Sequence, residues 1–311
     1  MATFHQPVLL KEVLQYLAPG RNQNFIDATL GAAGHAEKIL QLTGPEGKLL
    51  GLDWDIESIK ASRERLRAYA NRVTLINASY TKIKQVVYDK KFSPIHGVLL
   101  DLGLSSDQLK DSGRGFSFQV NEPLDMRFSV KDNELTAAEI LNTWPEKRIK
   151  EILIKNSEER QAGRIAAAIV QQRKEKNFAT TMELVSLVMQ IVARGKSKIH
   201  PATKTFQALR MEVNRELENI SLVLNDLIEF LKPGSRIAVI SFHSVEDRVV
   251  KDIFKRESIG CLCPPEIPVC RCRHEAKLKL ITKKPIASSE QEIADNFRSR
   301  SAKLRVVEKI L

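Results

Sequence analysis

The chain has 311 residues, of which 43% are hydrophobic and 28% charged, with 14 glycines and 12 prolines. That is enough apolar side chain for about two buried cores, and it excludes a disordered, collagen-like or low-complexity polypeptide. The longest apolar runs, such as Gly97 to Leu100 and Ile237 to Ile240, fall far short of the ~20 residues that cross a bilayer, and His5, Gln6, Lys11 and Glu12 break up the N-terminus, so neither a membrane span nor a secretory signal is expected.

Asn24 to Thr29 reads as a short apolar strand, followed by the turn Gly31-Ala-Ala-Gly34-His35 and by Ala36, Ile39 and Leu40 at helical spacing. Gly44-Pro-Glu-Gly47 punctuates the chain before a second strand over Lys48 to Leu52, ending at Asp53. A helix follows from Ile56 to Tyr69, then a strand over Val73 to Asn77, a helix over Ile83 to Tyr88 and a strand over Gly97 to Asp101. This alternation predicts an α/β fold built on a parallel sheet.

After Asp101 the next convincing strand is Arg236 to Ser241, introduced by Leu231-Lys-Pro-Gly-Ser235. A crossover needs only one helix, such as Arg215 to Phe230, so the remainder is an insertion. Within it Ala137 to Leu141, Arg148 to Ile154, Gly163 to Gln172 and Thr181 to Val192 read as amphipathic helices, the last capped by Thr180 or Thr181. Lys279 to Lys283 and Lys303 to Glu308 read as closing strands. The expected division is a nucleoside-binding domain over 1–107 and 216–311, interrupted by an all-helical domain over 108–215.

Ligands of such sheets bind beyond the carboxyl ends of the strands, where strand order reverses. Those positions hold Asp27 with Gly31 to His35, then Asp53, then Ser79 and Tyr80, then Asp101. An acid about 20 residues beyond a glycine turn can accept hydrogen bonds from both hydroxyls of a ribose. The turn lacks the third glycine of a pyrophosphate-binding loop, and no phosphate-binding Gly-x-x-x-x-Gly-Lys run occurs. S-adenosylmethionine, which has a ribose and an amino acid end but no phosphate, suits it better.

Charge adds a partner. Lys plus Arg number 49 against 38 Asp plus Glu, for a net +11, which favours a polyanion. Arg194, Lys196, Lys198, Lys204, Arg210 and Arg215 cluster in the insertion, and Arg298, Arg300, Lys303 and Arg305 in the tail. The four cysteines all lie between Cys261 and Cys272, as Cys261-Leu-Cys263 and Cys270-Arg-Cys272. A secreted protein would not staple one short loop and leave the rest bare, so the thiols are read as reduced and the protein as cytoplasmic. Two readings stay open, free thiols in a loop and a structural zinc site; C-x-C is tighter than the usual zinc-ligand spacing, and no metal is assigned.

Several longer motifs stand out: Gly31-Ala-Ala-Gly-His35, Asp101-Leu-Gly-Leu-Ser-Ser106, Arg114-Gly-Phe-Ser-Phe118, Pro123-Leu-Asp-Met-Arg127, His200-Pro-Ala-Thr-Lys-Thr-Phe-Gln-Ala-Leu-Arg210 and Ile240-Ser-Phe-His-Ser-Val-Glu-Asp-Arg248. On these the chain resembles the bacterial 16S ribosomal RNA cytosine-N4 methyltransferases, the small-subunit methyltransferase H or MraW family. The likeness runs from Gln6-Pro-Val-Leu-Leu10 to Arg300-Ser-Ala-Lys-Leu-Arg305. It implies a Rossmann-like class I S-adenosylmethionine methyltransferase sheet with an inserted helical domain, acting on N4 of a decoding-centre cytidine in 16S rRNA, met within the small ribosomal subunit; a homodimer is left open.

By the same resemblance, cofactor contacts fall on Ala33, Gly34, His35, Asp53, Tyr80, Asp101 and Gln108. The family commonly has Gly-Arg-Gly-Gly-His where this chain has Gly31-Ala-Ala-Gly34-His35; a positive φ at Ala33 would cost about 1 kcal/mol. Tyr80 replaces a common Phe and keeps the stacking face. The amine of cytosine is a poor nucleophile because its lone pair is delocalised, so positioning and an acceptor for the N4 hydrogens matter most. Asp101 is expected as that acceptor, and His243 to contact RNA or take the proton. Asp125 and Arg127 are expected to grip the cytidine or its phosphate, Lys204 and Arg210 to hold the RNA backbone, and Phe116, Phe118 or Phe242 to offer a stacking platform for an extruded base. The competing functions are a nicotinamide-dependent oxidoreductase and a noncatalytic zinc-containing RNA-binding protein.

Overall fold

A computed structural model describes residues 7–103, 113–131, 133–192, 200–264, 266 and 269–311. The chain divides into two compact units, one formed by Met1–Gly103 with Asn219–Leu311 and the other by Leu104–Glu218. Among the described residues no helix is long and apolar enough to cross a membrane.

In the first unit the sheet contains β1 (Phe25–Asp27), β2 (Leu49–Asp53), β3 (Val73–Asn77), β4 (Gly97–Asp101), β5 (Arg236–Ser241), β6 (Leu278–Leu280), β7 (Ile286–Ala287) and β8 (Lys303–Lys309). The order is β3-β2-β1-β4-β5-β8-β6, with β7 also on β8. The first five strands pair in parallel. The closing strands depart from an all-parallel sheet, because β8 runs antiparallel to β5, β6 and β7. The order reverses between β1 and β4, which are neighbours in the sheet although β2 and β3 lie between them in sequence.

Alternate residues of a strand point to opposite faces, and here both faces are apolar. Ile26, Leu50, Val98, Leu100 and Val239 pack with Ile83, Ile220, Leu224, Leu227, Val250 and Phe254. Those helical residues come from α4 (Ile83–Asp89), α10 (Glu216–Phe230) and α11 (Ser244–Glu257). Phe25, Leu49, Leu99, Ala238 and Ile240 pack on the other side with Val13, Leu17, Ala36, Ile39, Leu40 and Ile59, from α1 (Leu10–Leu17), α2 (Gly34–Leu42) and α3 (Ile56–Arg65). Helices α1 and α11 and the short α12 (Glu290–Asp295) were not expected from the sequence, and the helix expected to reach Tyr69 gives way to a 3₁₀ turn over Arg67–Tyr69.

The second unit has its own core, in which Leu124, Met126, Ile140, Ile149, Leu153, Ile165, Ile169, Phe178, Leu184 and Leu209 are buried. Its helices are α5 (Ala137–Thr143), α6 (Glu146–Ser157), α7 (Ala162–Gln172), α8 (Thr181–Ile191) and α9 (Thr203–Val213). Thr180 and Glu183 form a capping box at the start of α8, satisfying the backbone donors of its first turn. Buried Asn156 ties α6 to α9, donating to Ala208 O at 3.2 Å while its own carbonyl accepts from Gln207 Nε2 at 2.9 Å.

Candidate functional site

Three adjacent parallel strands of the first unit end in an acid. The register pairs Asp27 with Gly51 and Leu99, so Asp53 and Asp101 stand two residues farther along their own strands. The turn after β1 threads between them. Gly31 has φ +50°, the left-handed region that favours glycine, and its N–H donates to Asp53 Oδ2 at 2.8 Å. Asp55 N donates to Asp53 Oδ1 at 2.8 Å. An ionised carboxylate offers about four lone-pair positions, so Asp53 keeps acceptor capacity for a further ligand. Thr29 Oγ1 accepts from Asp101 N at 2.6 Å, and Ser62 Oγ donates to Gly31 O at 2.7 Å, which fixes the turn against α3.

Ala33 lies in the left-handed region, with φ 58°, as the residue capping α2. The family-typical glycine is therefore replaced at a position where a side chain is strained, by about 1 kcal/mol; its methyl group is fully buried in the core. Gly34 is required by packing, since a Cβ there would come within 2.8 Å of Pro7 Cγ. His35 is buried on the first turn of α2, with Nε2 2.9 Å from Val8 O and Nδ1 3.8 Å from Asp101 Oδ2.

The electrostatics of the three acids share one cause. Burial pushes the Asp27 carboxyl up to about 7, against the lowering effect of the Thr29 N–H. Burial likewise raises Asp53 to about 6, although the Asp55 and Gly31 N–H groups pull it down. Asp101 is raised well above the carboxylate range by burial first, and then by the charges of Asp27 and Glu246. Its side chain is 24% exposed, yet Oδ1 is closed to water and has no hydrogen-bond partner among the described residues. A buried acceptor left in that condition is costly, and a cationic or hydrogen-bond-donating ligand would relieve it. The residues present therefore fit S-adenosylmethionine, whose ribose hydroxyls, ammonium and sulfonium supply donors and positive charge.

Tyr80 opens a 3₁₀ turn just after β3, with Ser79 capping it, and packs half-buried against the sheet core. His243, just after β5, caps α11 in a capping box with Glu246; its Nδ1 lies 2.9 Å from Glu246 Oε2. Glu246 also accepts from Phe242 N at 3.0 Å. Gln108 lies outside the described residues, as do Arg194, Lys196 and Lys198. Asp27 stands at one of the strand ends where the sequence places ligands, but Thr29 and Glu246 were not among the expected site residues. The Glu three residues beyond His243 is the capping-box spacing that would have pointed to Glu246.

The substrate residues expected in the second unit are engaged with partners inside it. Arg127 grips Asp125 by two parallel bonds, Nε to Oδ1 at 2.8 Å and Nη2 to Oδ2 at 2.6 Å. Burial raises the Asp125 carboxyl, but the bonds from Arg127 outweigh it and hold the group below its usual range. Arg210 pairs with Glu216 through Nε at 2.8 Å and Nη2 at 2.9 Å, both side chains being buried. Lys204 Nζ donates to Glu158 O at 3.0 Å, beyond the C-terminus of α6. Phe116 is buried and stacks on Phe128, with centroids 5.6 Å apart, and Phe118 stacks on His200 at 4.7 Å. In the tail, Lys303 and Arg305 both pair with Asp247.

Residues 2–310 match the MraW methylase family. Among similar proteins is one named ribosomal RNA small subunit methyltransferase H from Thermomicrobium roseum, 44% identical over 310 residues that cover 100% of this chain and 95% of the relative. A protein of the same name from Geobacter sp. strain M21 is 46% identical over 313 residues, covering 100% of both chains. Another, from Heliobacterium mobile, is 45% identical over 313 residues with the same coverage.

Proposed function

The chain belongs to the MraW methylase family and is an S-adenosylmethionine-dependent methyltransferase of ribosomal RNA, and we propose that its acceptor is N4 of a decoding-centre cytidine in 16S rRNA, met within the small ribosomal subunit in the cytoplasm. The functional division proposed with it assigns 1–107 and 216–311 to cofactor binding and catalysis and 108–215 to substrate recognition. The observation that supports the site assignment is the shielded Asp101 Oδ1, without a hydrogen-bond partner among the described residues, at the strand-order reversal, where α/β sheets bind ligands.

In this reading Asp53 accepts the ribose hydroxyls, as its remaining lone pairs permit. Ala33, Gly34 and His35 would shape the turn beside the amino acid end and Tyr80 would flank the adenine; Gln108, which the resemblance assigns to the methionine end, lies outside the described residues. The bound cofactor supplies an electrophilic sulfonium methyl. Asp101 receives an N4 hydrogen, which localises the nitrogen lone pair and offsets the positive charge developing there. Positive charge arriving with the cofactor opposes the burial and the Asp27 charge that raise the Asp101 carboxyl, and so favours its ionised form. His243, which caps α11 and whose Nδ1 lies 2.9 Å from Glu246 Oε2, contacts the RNA or accepts the released proton. Asp125 and Arg127, already locked to each other, present a rigid edge to the nucleotide, while Lys204 and Arg210 hold the surfaces that meet the RNA backbone. No observation favours the nicotinamide-dependent or the noncatalytic alternative.

Nucleoside mass spectrometry of small-subunit rRNA from cells with and without the gene tests the acceptor. N4-methylated cytidine should vanish from one position in the deletion strain and return with the wild-type gene. Unchanged modification would overturn the proposal.

A further inference from the structure

The segment between α11 and β6 leaves the sheet and returns to its starting point. Lys277 N donates to Glu257 O at 2.8 Å, and His274 Nε2 lies 3.1 Å from Arg256 O. Within this excursion the four cysteines converge. All four Sγ atoms lie within 4.8 Å of one another, with Cys261 to Cys270 at 3.4 Å, Cys270 to Cys272 at 3.5 Å and Cys261 to Cys272 at 3.9 Å. A tetrahedral ion with metal–sulfur bonds near 2.3 Å sets its ligand sulfurs about 3.8 Å apart. A disulfide requires about 2.05 Å, and none is formed.

The backbone supports the sulfurs as acceptors. Leu262 N donates to Cys272 Sγ at 3.3 Å, Cys263 N to Cys261 Sγ at 3.4 Å and Arg271 N to Cys263 Sγ at 3.4 Å. Such outer bonds orient metal-bound thiolates. Three of the cysteines are exposed and the fourth is half-buried, so burial of apolar surface does not gather them. The tight C-x-C spacing is no obstacle here, because the loop brings such a pair together, Cys270 and Cys272 having their Sγ atoms 3.5 Å apart.

We propose that Cys261, Cys263, Cys270 and Cys272 bind one Zn²⁺ as four thiolates. With four protein ligands the ion has no open position, so the site is structural: it closes the loop between α11 and β6 and takes no part in methyl transfer. Sulfur separations this short admit a single ion rather than an iron–sulfur cluster. Arg271 and Arg273 stand beside the ligands in sequence and offset the net negative charge of a four-thiolate zinc centre.

The test is metal analysis of the full-length protein after expression in zinc-replete medium and gel filtration. One zinc per chain is expected, falling about tenfold or more in the Cys263→Ser, Cys270→Ser double variant. Replacement by Co²⁺ should give the intense visible absorption of a tetrahedral ion together with thiolate-to-cobalt charge transfer, a readout that needs no variant to fold. The proposal fails if the wild-type protein retains no zinc, if it carries iron instead, if the thiols react fully without metal release, or if mass spectrometry finds them joined as disulfides.

Discussion

At the strand ends of the first unit, Asp27, Asp53 and Asp101 are all held above the ordinary carboxylate range, by burial before any other cause. In the second unit, Asp125 is held below it by Arg127, and Arg210 and Glu216 close on each other through two bonds. Both regions contain buried charge, but only the strand ends leave some of it uncompensated. Strain of that kind persists where a ligand is meant to relieve it, whereas paired charge fixes the geometry of a fold. The difference separates a binding site from its scaffold without reference to sequence motifs, and it assigns Arg210 a supporting role inside the helices even though it lies in a motif shared with the family.

The sharpest way to break this contrast is to remove one half of a compensated pair. Arg210→Ala leaves Glu216 buried without its partner and should cost about 4 kcal/mol of stability, read as a lower denaturation midpoint; a loss of RNA affinity with unchanged stability would instead make Arg210 a direct ligand. Asp101→Asn should behave in the opposite way. Turnover should fall about 100-fold or more, the scale of losing one transition-state acceptor, while stability is maintained or rises. Unimpaired methylation of ribosomal RNA by that variant would remove Asp101 from the mechanism.

A smaller effect sharpens the same comparison through pH. A carboxyl whose pKa is raised on folding favours the native state most below its unfolded value, and that advantage is lost as pH rises through the folded value. For Asp27 the window runs from its ordinary 3.8 to about 7. Asp27→Asn keeps an acceptor for Thr29 N and removes the buried charge, so it should raise the apoprotein Tm at neutral pH by about 5 °C, the gain vanishing near the acid end of the window. Asp125 has the opposite sign, since a depressed pKa contributes stability above the unfolded value that is lost on acidification. Thermal denaturation across this range decides; a gain independent of pH would show that Asp27 is not desolvated.

Much of this was legible in the sequence because the strands are short, mainly apolar runs set between turn and helix signals. Val73–Asn77, Gly97–Asp101 and Arg236–Ser241 fall where the pattern placed them. The strand-end acids were visible for the same reason, since parallel strands present their last residues to the ligand. Helix α11 was hidden because its N-cap is a histidine, which read as chemistry rather than as a helix start. The reversal of β8 left no local signature, as strand direction is decided by pairing. Nor could spacing reveal that Lys303 and Arg305, two apart and so on one face of β8, both turn to Asp247. Charge counting registers a cation but not its partner.

The central claim is that the acids beyond β1, β2 and β4 receive S-adenosylmethionine, and calorimetric titration of the full-length protein with that cofactor across pH tests it most directly. Affinity should rise as pH increases through about 6, where Asp53 ionises, and Asp53→Ala should weaken binding about tenfold or more, the worth of hydrogen bonds to a charged group, and abolish that pH dependence. Equal affinity for wild type and variant at every pH would contradict the account.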